Sequence, residues 1–295
     1  MTSTAVPAAI VVDGAYELAE GGRWIDDRYV YVDILSGRLF ELRDDTEPAV
    51  VRQLAGLDVP LGAVAPVGDR PGAWIAAADT GIALLTPDGT PEWLDRPEDR
   101  TPVPSRMNDG VADPAGRFWA GSMAYDGTHG AGSLYRTDPD GTVVHVLDGL
   151  TIANGPAFTV DGTVMYLADT AAGTVFRCRV DLVSGDLVGA PEIFTRFRED
   201  EGSPDGMTVD AEGCLWVAMW GAGVVRRYHP DGRLLHTVTV PAPHPTSVCL
   251  HPSDNRLYVT TARYGVKSPT ATSGAVLSVS VPVRGTAASS WRGGR

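Results

Sequence analysis

Four polar residues, Glu20, Asn108, Asn154 and Asp205, each lie on a short Gly- or Pro-containing stretch ahead of a strand-like run. The local strings are AEGGRW, MNDG, IANGP and SPDGM, with a glycine directly after the polar residue or one position later. Carboxylate and amide oxygens are hard donors, and three or four of them converging on one pocket suit a divalent cation. Glycine beside each donor admits unusual dihedrals and close approach to a ligand. The competing reading is that NG, DG and EG are ordinary turn dipeptides. What separates the two readings is whether the four residues hold equivalent places in a repeat.

A repeat is present. A short apolar strand followed by a Gly that opens a second strand recurs as VYVDILSGRLFEL, WIAAADTGIALLT, WAGSMAYDGTHGAGSLYRT, MYLADTAAGTVFRC, WVAMWGAGVVRRY and YVTTARYGVKSPTATSGAVLSV. With Val30, Trp74, Trp119, Tyr166, Trp216 and Tyr258 as equivalent positions, the period is roughly 42 to 50 residues, as in propeller blades. Alternating β-branched and aromatic residues between turns read as antiparallel strands, about four per repeat, and no 3.6-residue patterning supports a helical solenoid. The expected fold is an all-β, six-bladed β-propeller with a metal site in the central channel. A pair of β-sandwiches leaves the regular period unexplained. Counting about 10 to 12 residues back from the equivalent positions reaches Glu20, Ala63, Asn108, Asn154, Asp205 and Ser247, the start of each innermost strand near one mouth of the channel.

The elements around this ring follow from the same repeat. Residues 1–295 form a single propeller domain, with loose termini expected at about 1–8 and 284–295, the latter because GTAASSWRGGR is small and polar. The N-terminal AIVVDG is expected to complete the last blade and close the ring, which removes a sheet edge. Insertions at 124–131 in the third blade and 264–273 in the sixth are expected at a pocket rim, where Tyr125, His129 and Lys267 are candidates to meet substrate. With 34 Gly and 22 Pro the chain favours tight turns over long helices, and 43% hydrophobic residues suffice for a large core.

Charge and cysteines exclude other classes. A net charge of −13 with no basic block argues against nucleic acid as partner. The N-terminal sequence lacks the features of a secretory signal, and no segment approaches the roughly 20 apolar residues of a membrane span, so a soluble cytoplasmic protein, monomer or small homo-oligomer, is expected. Cys178, Cys214 and Cys249 are widely separated, without a CxxC pair, and are expected to be packed free thiols.

The strings AEGGRWIDDRYVYVDI, SRMNDGVADPAGRFWAGSM, IANGPAFTVDGTVMYLADT, SPDGMTVDAEGCLWVA and TSVCLHPSDNRLYVTTAR together resemble the senescence marker protein-30 (regucalcin), gluconolactonase and luciferin-regenerating enzyme family, from about Glu17 to Val281. The resemblance implies one divalent cation, calcium first, with zinc, manganese or magnesium as alternatives, held by Glu20, Asn154 and Asp205. It further implies substrate contacts from Arg106 and Asn108, and hydrolysis of a small sugar lactone. This chain departs at the first motif, commonly GEGP in the family and here Ala19-Glu20-Gly21-Gly22. The carboxylate is kept, but the loop carrying it loses a rigid residue.

Other readings stay open at this point. Asp205 is a ligand only or also the general base. The site serves a lactonase, another hydrolase such as a secondary-metabolite tailoring enzyme or organophosphate esterase, or a calcium-binding or interaction propeller without catalysis. Asp109 is read as a turn cap or a water-linked metal contact, Asp33 and Asp169 as strand-end structural carboxylates, His244 and His251 as turn histidines, and Trp220 as an aromatic between blades. No GxSxG motif is present to place a serine nucleophile.

Overall fold

The alternating apolar and β-branched runs form strands because their side chains cover two faces of a pleated sheet, and the intervening Gly- and Asp-rich turns reverse the chain. The computed structural model describes residues 8–43, 49–86 and 89–293. After β1 (Ala9–Val12), blade one comprises β2 (Ala19–Ile25), β3 (Arg28–Asp33), β4 (Arg38–Arg43) and β5 (Val50–Gly56). Blade two comprises β6 (Leu61–Pro66), β7 (Trp74–Ala78), β8 (Gly81–Leu85) and β9 (Pro91–Asp95), and blade three β10 (Ser105–Ala112), β11 (Phe118–Ala124), β12 (Gly132–Thr137) and β13 (Val143–Leu150). Blade four holds β14 (Ala153–Phe158), β15 (Val164–Asp169), β16 (Thr174–Arg179) and β17 (Glu192–Arg196), and blade five β18 (Ser203–Val209), β19 (Leu215–Trp220), β20 (Val224–Tyr228) and β21 (Leu234–Thr239). Blade six is β22 (Pro245–Leu250), β23 (Arg256–Thr261) and β24 (Val276–Ser280), completed by β1 on its outer edge, as AIVVDG suggested. The result is the six-bladed β-propeller expected, and the first strands of neighbouring blades pack against one another around the centre.

Between blades the cores are apolar rows such as Trp216, Leu250, Val259 and Leu277. Turns between first and second strands are pinned from inside. Asp113 accepts the Arg117 N–H and the Trp119 Nε1–H, both at 2.9 Å, and Asp210 accepts the Cys214 N–H at 2.9 Å and Trp216 Nε1–H at 2.8 Å. In blade six the His251 ring does the same, its Nδ1 accepting the Asp254 N–H at 2.8 Å, as a turn histidine. Cys178, Cys214 and Cys249 are free and buried. Among the described residues no helix is long and apolar enough to cross a membrane.

Residues 284–293 differ from the loose tail expected at 284–295, of which 294 and 295 lie outside the described residues. They run across the end of the channel away from the candidate site, and their backbone bonds to one blade after another. The Ala211 N–H donates to Arg284 O at 3.0 Å, Gly285 N–H to His251 O at 3.0 Å, Ala288 N–H to Trp24 O at 3.2 Å, Trp291 N–H to Pro66 O at 2.9 Å and Arg292 N–H to Gly116 O at 2.9 Å. Blades five, six, one, two and three are thereby tied together, and Trp291 is buried against Val67 and Ala112. The strap roofs a cavity of about 170 Å³ lined by Arg23, Trp24, Met207 and residues 286–289. Small residues are what this path requires, since a Cβ on Gly285 would stand 2.3 Å from Leu250 O. Of the expected loose N-terminus, residues 1–7 lie outside the described residues, while Ala8 packs on the blade-six core.

Candidate metal and substrate site

In all six innermost strands the pairing slips at the same level: between Glu20 and Arg23, Leu61 and Ala63, Met107 and Gly110, Asn154 and Ala157, Pro204 and Met207, and Pro245 and Val248. A bulge adds twist and re-aims side chains, so a ring of bulges directs one set of residues at the channel. Arg23, Pro66, Val111, Ala157, Thr208 and Cys249 pair with the six repeat-equivalent residues. Three positions upstream of these lie Glu20, Ala63, Asn108, Asn154, Asp205 and Thr246. The register thus places Thr246, rather than Ser247, in the sixth ring position; counting along the chain missed it because the turn between first and second strands varies in length.

The segments leading into the ring are fixed by the strand-end carboxylates. Asp33 Oδ1 accepts the Leu18 N–H at 2.9 Å, and Asp169 accepts those of Thr151 and Ile152 at 3.0 and 3.2 Å. Blade six, which offers no carboxylate at its ring position, instead clamps the Glu20 loop. Thr246 Oγ1 donates to Ala19 O at 2.5 Å, and Ser247 Oγ accepts the Gly22 N–H at 3.0 Å. This accounts for Gly22 where the family motif commonly has proline: the position needs an N–H, and a Cβ there would stand 1.9 Å from Tyr29 Oη. Gly21, at φ 60°, makes the turn and donates its N–H to Glu20 Oε2 at 3.0 Å.

Glu20, Asn154 and Asp205 are buried together. Asn154 Nδ2 donates to Asp205 Oδ1, while Asn154 Oδ1 accepts the Gly155 N–H at 3.0 Å. Burial, with Asp205 and Asp109 nearby, holds the Glu20 carboxyl well above its usual range; burial and Asp109 do the same to Asp205. Asp109 is raised by burial as well. It caps its turn, Oδ1 accepting the Gly110 N–H at 2.7 Å, but its Oδ2 is buried with no hydrogen-bond partner among the described residues. Three mutually repelling buried carboxylates with an orphaned oxygen are unfavourable alone and fit a cation. Among the described residues no three His, Cys, Asp or Glu are arranged to hold a metal ion, and the expected donor set reaches three only by including the Asn154 amide. That amide turns its nitrogen to Asp205, and a flip that brought its oxygen round would break the bonds from Nδ2 to Asp205 and Thr170 and from the Gly155 N–H to Oδ1.

Arg106 and Asn108 are joined: Arg106 Nη1 donates to Asn108 Oδ1 at 2.8 Å and to Met107 O at 2.9 Å, and Asn108 Nδ2 donates to Ala153 O at 3.1 Å. Burial lowers the Arg106 pKa, and its ionisable neighbours are Tyr125, Glu20, Tyr264 and Asp205, so its guanidinium connects the acid cluster to the rim. Tyr125 and Tyr264 are exposed on the two insertions, with the Tyr125 N–H donating to Pro104 O and the Tyr264 N–H to Glu17 O. His129 and Lys267 lie on the same loops. Trp220 stacks on His244 at 3.9 Å, joining blades five and six. Sequence reasoning passed over Arg23, a buried arginine between Gly22 and Gly110. The available signal was a charged residue three positions from Glu20 in an inward-facing strand.

A sequence profile of the SMP-30/Gluconolactonase/LRE-like region matches residues 18–263. The chain is 40% identical over 261 residues to the pentonolactonase XacC of Haloferax volcanii, covering 85% of this chain and 84% of the relative. It is 32% identical over 277 residues to the regucalcin of Danio rerio, covering 89% of each. Among solved structures, a calcium-binding protein, regucalcin, from Agrobacterium tumefaciens superposes with TM-score 0.88 at 29% identity over 99% of this chain and all (100%) of that one. The profile spans most of the described propeller and includes the strands carrying Glu20, Arg106, Asn108, Asn154 and Asp205. The chain belongs to the SMP-30/gluconolactonase/LRE-like family.

Proposed function

We propose that the chain is a metal-dependent lactonase that opens a small sugar lactone, of the gluconolactone-like class, to the free acid. The observation that carries this reading is the joined, buried Arg106–Asn108 pair whose guanidinium neighbours Glu20 and Asp205, a diol-binding donor and acceptor beside an oxygen-rich donor set. Similarity to a pentonolactonase supports the substrate class. Glu20, Asn154 and Asp205 would hold one divalent cation, calcium first, since hard oxygen donors suit it; zinc, manganese and magnesium accept the same donors. When bound, the cation supplies Lewis-acid stabilisation of charge on the lactone carbonyl oxygen.

The chain's own residues do the rest. Arg106 orients a sugar hydroxyl or the product carboxylate through its planar fork, and Asn108 both donates to and accepts from a diol. Asp205 takes the proton of the attacking water at its carboxylate. The water oxygen bonds to the carbonyl carbon, the ring ester C–O bond breaks, and the ring oxygen leaves with a proton as a hydroxyl. The new acid ionises, so each turnover releases one proton. Chelated protein assayed for proton release on a panel of aldonolactones, with Ca²⁺, Mn²⁺, Zn²⁺ or Mg²⁺ added back, tests the reading, and the absence of turnover of every lactone with every metal refutes it. The resemblance to a calcium-binding regucalcin favours one second reading, a cation-binding propeller without catalysis, which predicts cation binding in that experiment without turnover.

A further inference from the structure

Beneath the acid cluster a cation belonging to the protein occupies the channel. Arg23 is where β2 resumes regular pairing after its bulge, and its side chain turns inward. Nη1 donates to Gly22 O at 2.8 Å; Nη2 donates to Gly110 O at 3.4 Å and lies 3.6 Å from Asp109 Oδ1. Both side chains are buried, and Arg23 also lines the cavity under the C-terminal strap, so it stands between that cavity and the cluster. Asp109 is the link, since it touches Arg23 and is an electrostatic neighbour of both Glu20 and Asp205.

The fixed charges of this group do not cancel. Glu20, Asp109 and Asp205 contribute three negative charges when ionised, and Arg23 and Arg106 one positive each, which leaves one negative charge. We propose that Arg23 is a built-in counter-charge that acts through Asp109 to offset one of the three carboxylates and so biases the site toward a divalent over a trivalent cation. Arg23 is a positioning residue, touching neither substrate nor the expected ligands. The inference rests on the metal reading of the site and concerns its charge rather than its chemistry.

The experiment measures cation binding, not turnover. Full-length chelated protein is titrated with Ca²⁺ and with Tb³⁺, followed by thermal shift and by terbium luminescence sensitised by the protein's aromatic residues. Arg23→Met keeps an unbranched stem and leaves the cluster at −2. One unit of charge at roughly 8 Å and an effective dielectric near 20 then raises the preference for Tb³⁺ over Ca²⁺ by more than about tenfold. Asp109→Asn leaves no net charge and lowers Ca²⁺ affinity by more than about tenfold for the same reason. The double variant Arg23→Met with Asp109→Asn returns the cluster to −1 and restores the wild-type ion preference; it also removes the unpaired buried charge that could prevent Arg23→Met from folding, so its comparison with Asp109→Asn suffices alone. An unchanged ion preference in Arg23→Met, or a double variant that binds Ca²⁺ no better than Asp109→Asn, overturns the proposal and leaves the metal reading standing. Failure of the wild-type chain to bind either ion overturns both.

Discussion

Replacing Asp205 by asparagine has opposite consequences with and without a cation, and that opposition is the sharpest test of the site. In the cation-free fold, burial and Asp109 hold the Asp205 carboxyl well above its usual range. A group raised in this way binds its proton more tightly folded than unfolded. Its contribution to stability is therefore full below the unfolded value of about 4 and is lost as pH rises through the folded value. At pH 7.5, above the unfolded value, burying the group thus costs stability. The amide in Asp205→Asn removes that cost while still offering Asn154 an acceptor, so the cation-free variant unfolds at a higher temperature than cation-free wild type, by a margin that narrows toward pH 5.5. With cation at 100 times Kd, wild type gains about 2.7 kcal/mol. For 295 residues at about 2.1 cal/mol/K each, the unfolding entropy is about 0.6 kcal/mol/K, and Tm rises by about 4 °C. The variant, short of one ligand and one charge, shows less than about 1 °C under the same conditions. Differential scanning calorimetry with chelator and then with Ca²⁺ reads both effects. A variant that keeps the full shift, or one that unfolds well below wild type in chelator, refutes the reasoning.

Arg106→Ala lowers kcat/KM on a turned-over lactone by about a hundredfold through lost orientation, yet keeps the cation-induced Tm shift; loss of that shift would instead make Arg106 part of the cation site. Trp291→Ala opens a cavity under the strap and lowers Tm by about 5–8 °C, from about 3–5 kcal/mol and the unfolding entropy above, whereas no change in Tm would show the strap to be ornamental to stability. Gly22→Ala drives a methyl into Tyr29 and removes about 1–3 kcal/mol by chemical denaturation. Tyr29→Phe recovers part of it, because the Tyr29 hydroxyl is buried without a hydrogen-bond partner among the described residues and its loss breaks no bond.

The blades were legible because each repeats the same local chemistry. An apolar pair of strands around a Gly turn can be aligned by eye, and alignment alone put Glu20, Asn108, Asn154 and Asp205 at one level. The register shows why this works: the bulge recurs at that level in every innermost strand, so sequence equivalence becomes a common direction in space. What escaped the sequence depends on contacts made across the channel rather than along a blade. The strap reads as a tail because it bonds through backbone groups, which leave no side-chain signature, and only Trp291 among its small residues hinted at burial. Asp109 does cap its turn as its neighbours suggested, and nothing local reveals that its second oxygen is buried without a partner among the described residues. Arg23 and Asp109 are far apart in the chain and become a pair only when blades one and three face each other across the axis. A propeller thus writes its inward-facing ring into each repeat, where it can be read one blade at a time, whereas the charge balance of that ring is a property of the closed circle. For that reason the residues proposed to hold a cation were found from spacing, and the residue proposed to set the number of charges they present was found only once the ring had closed around it.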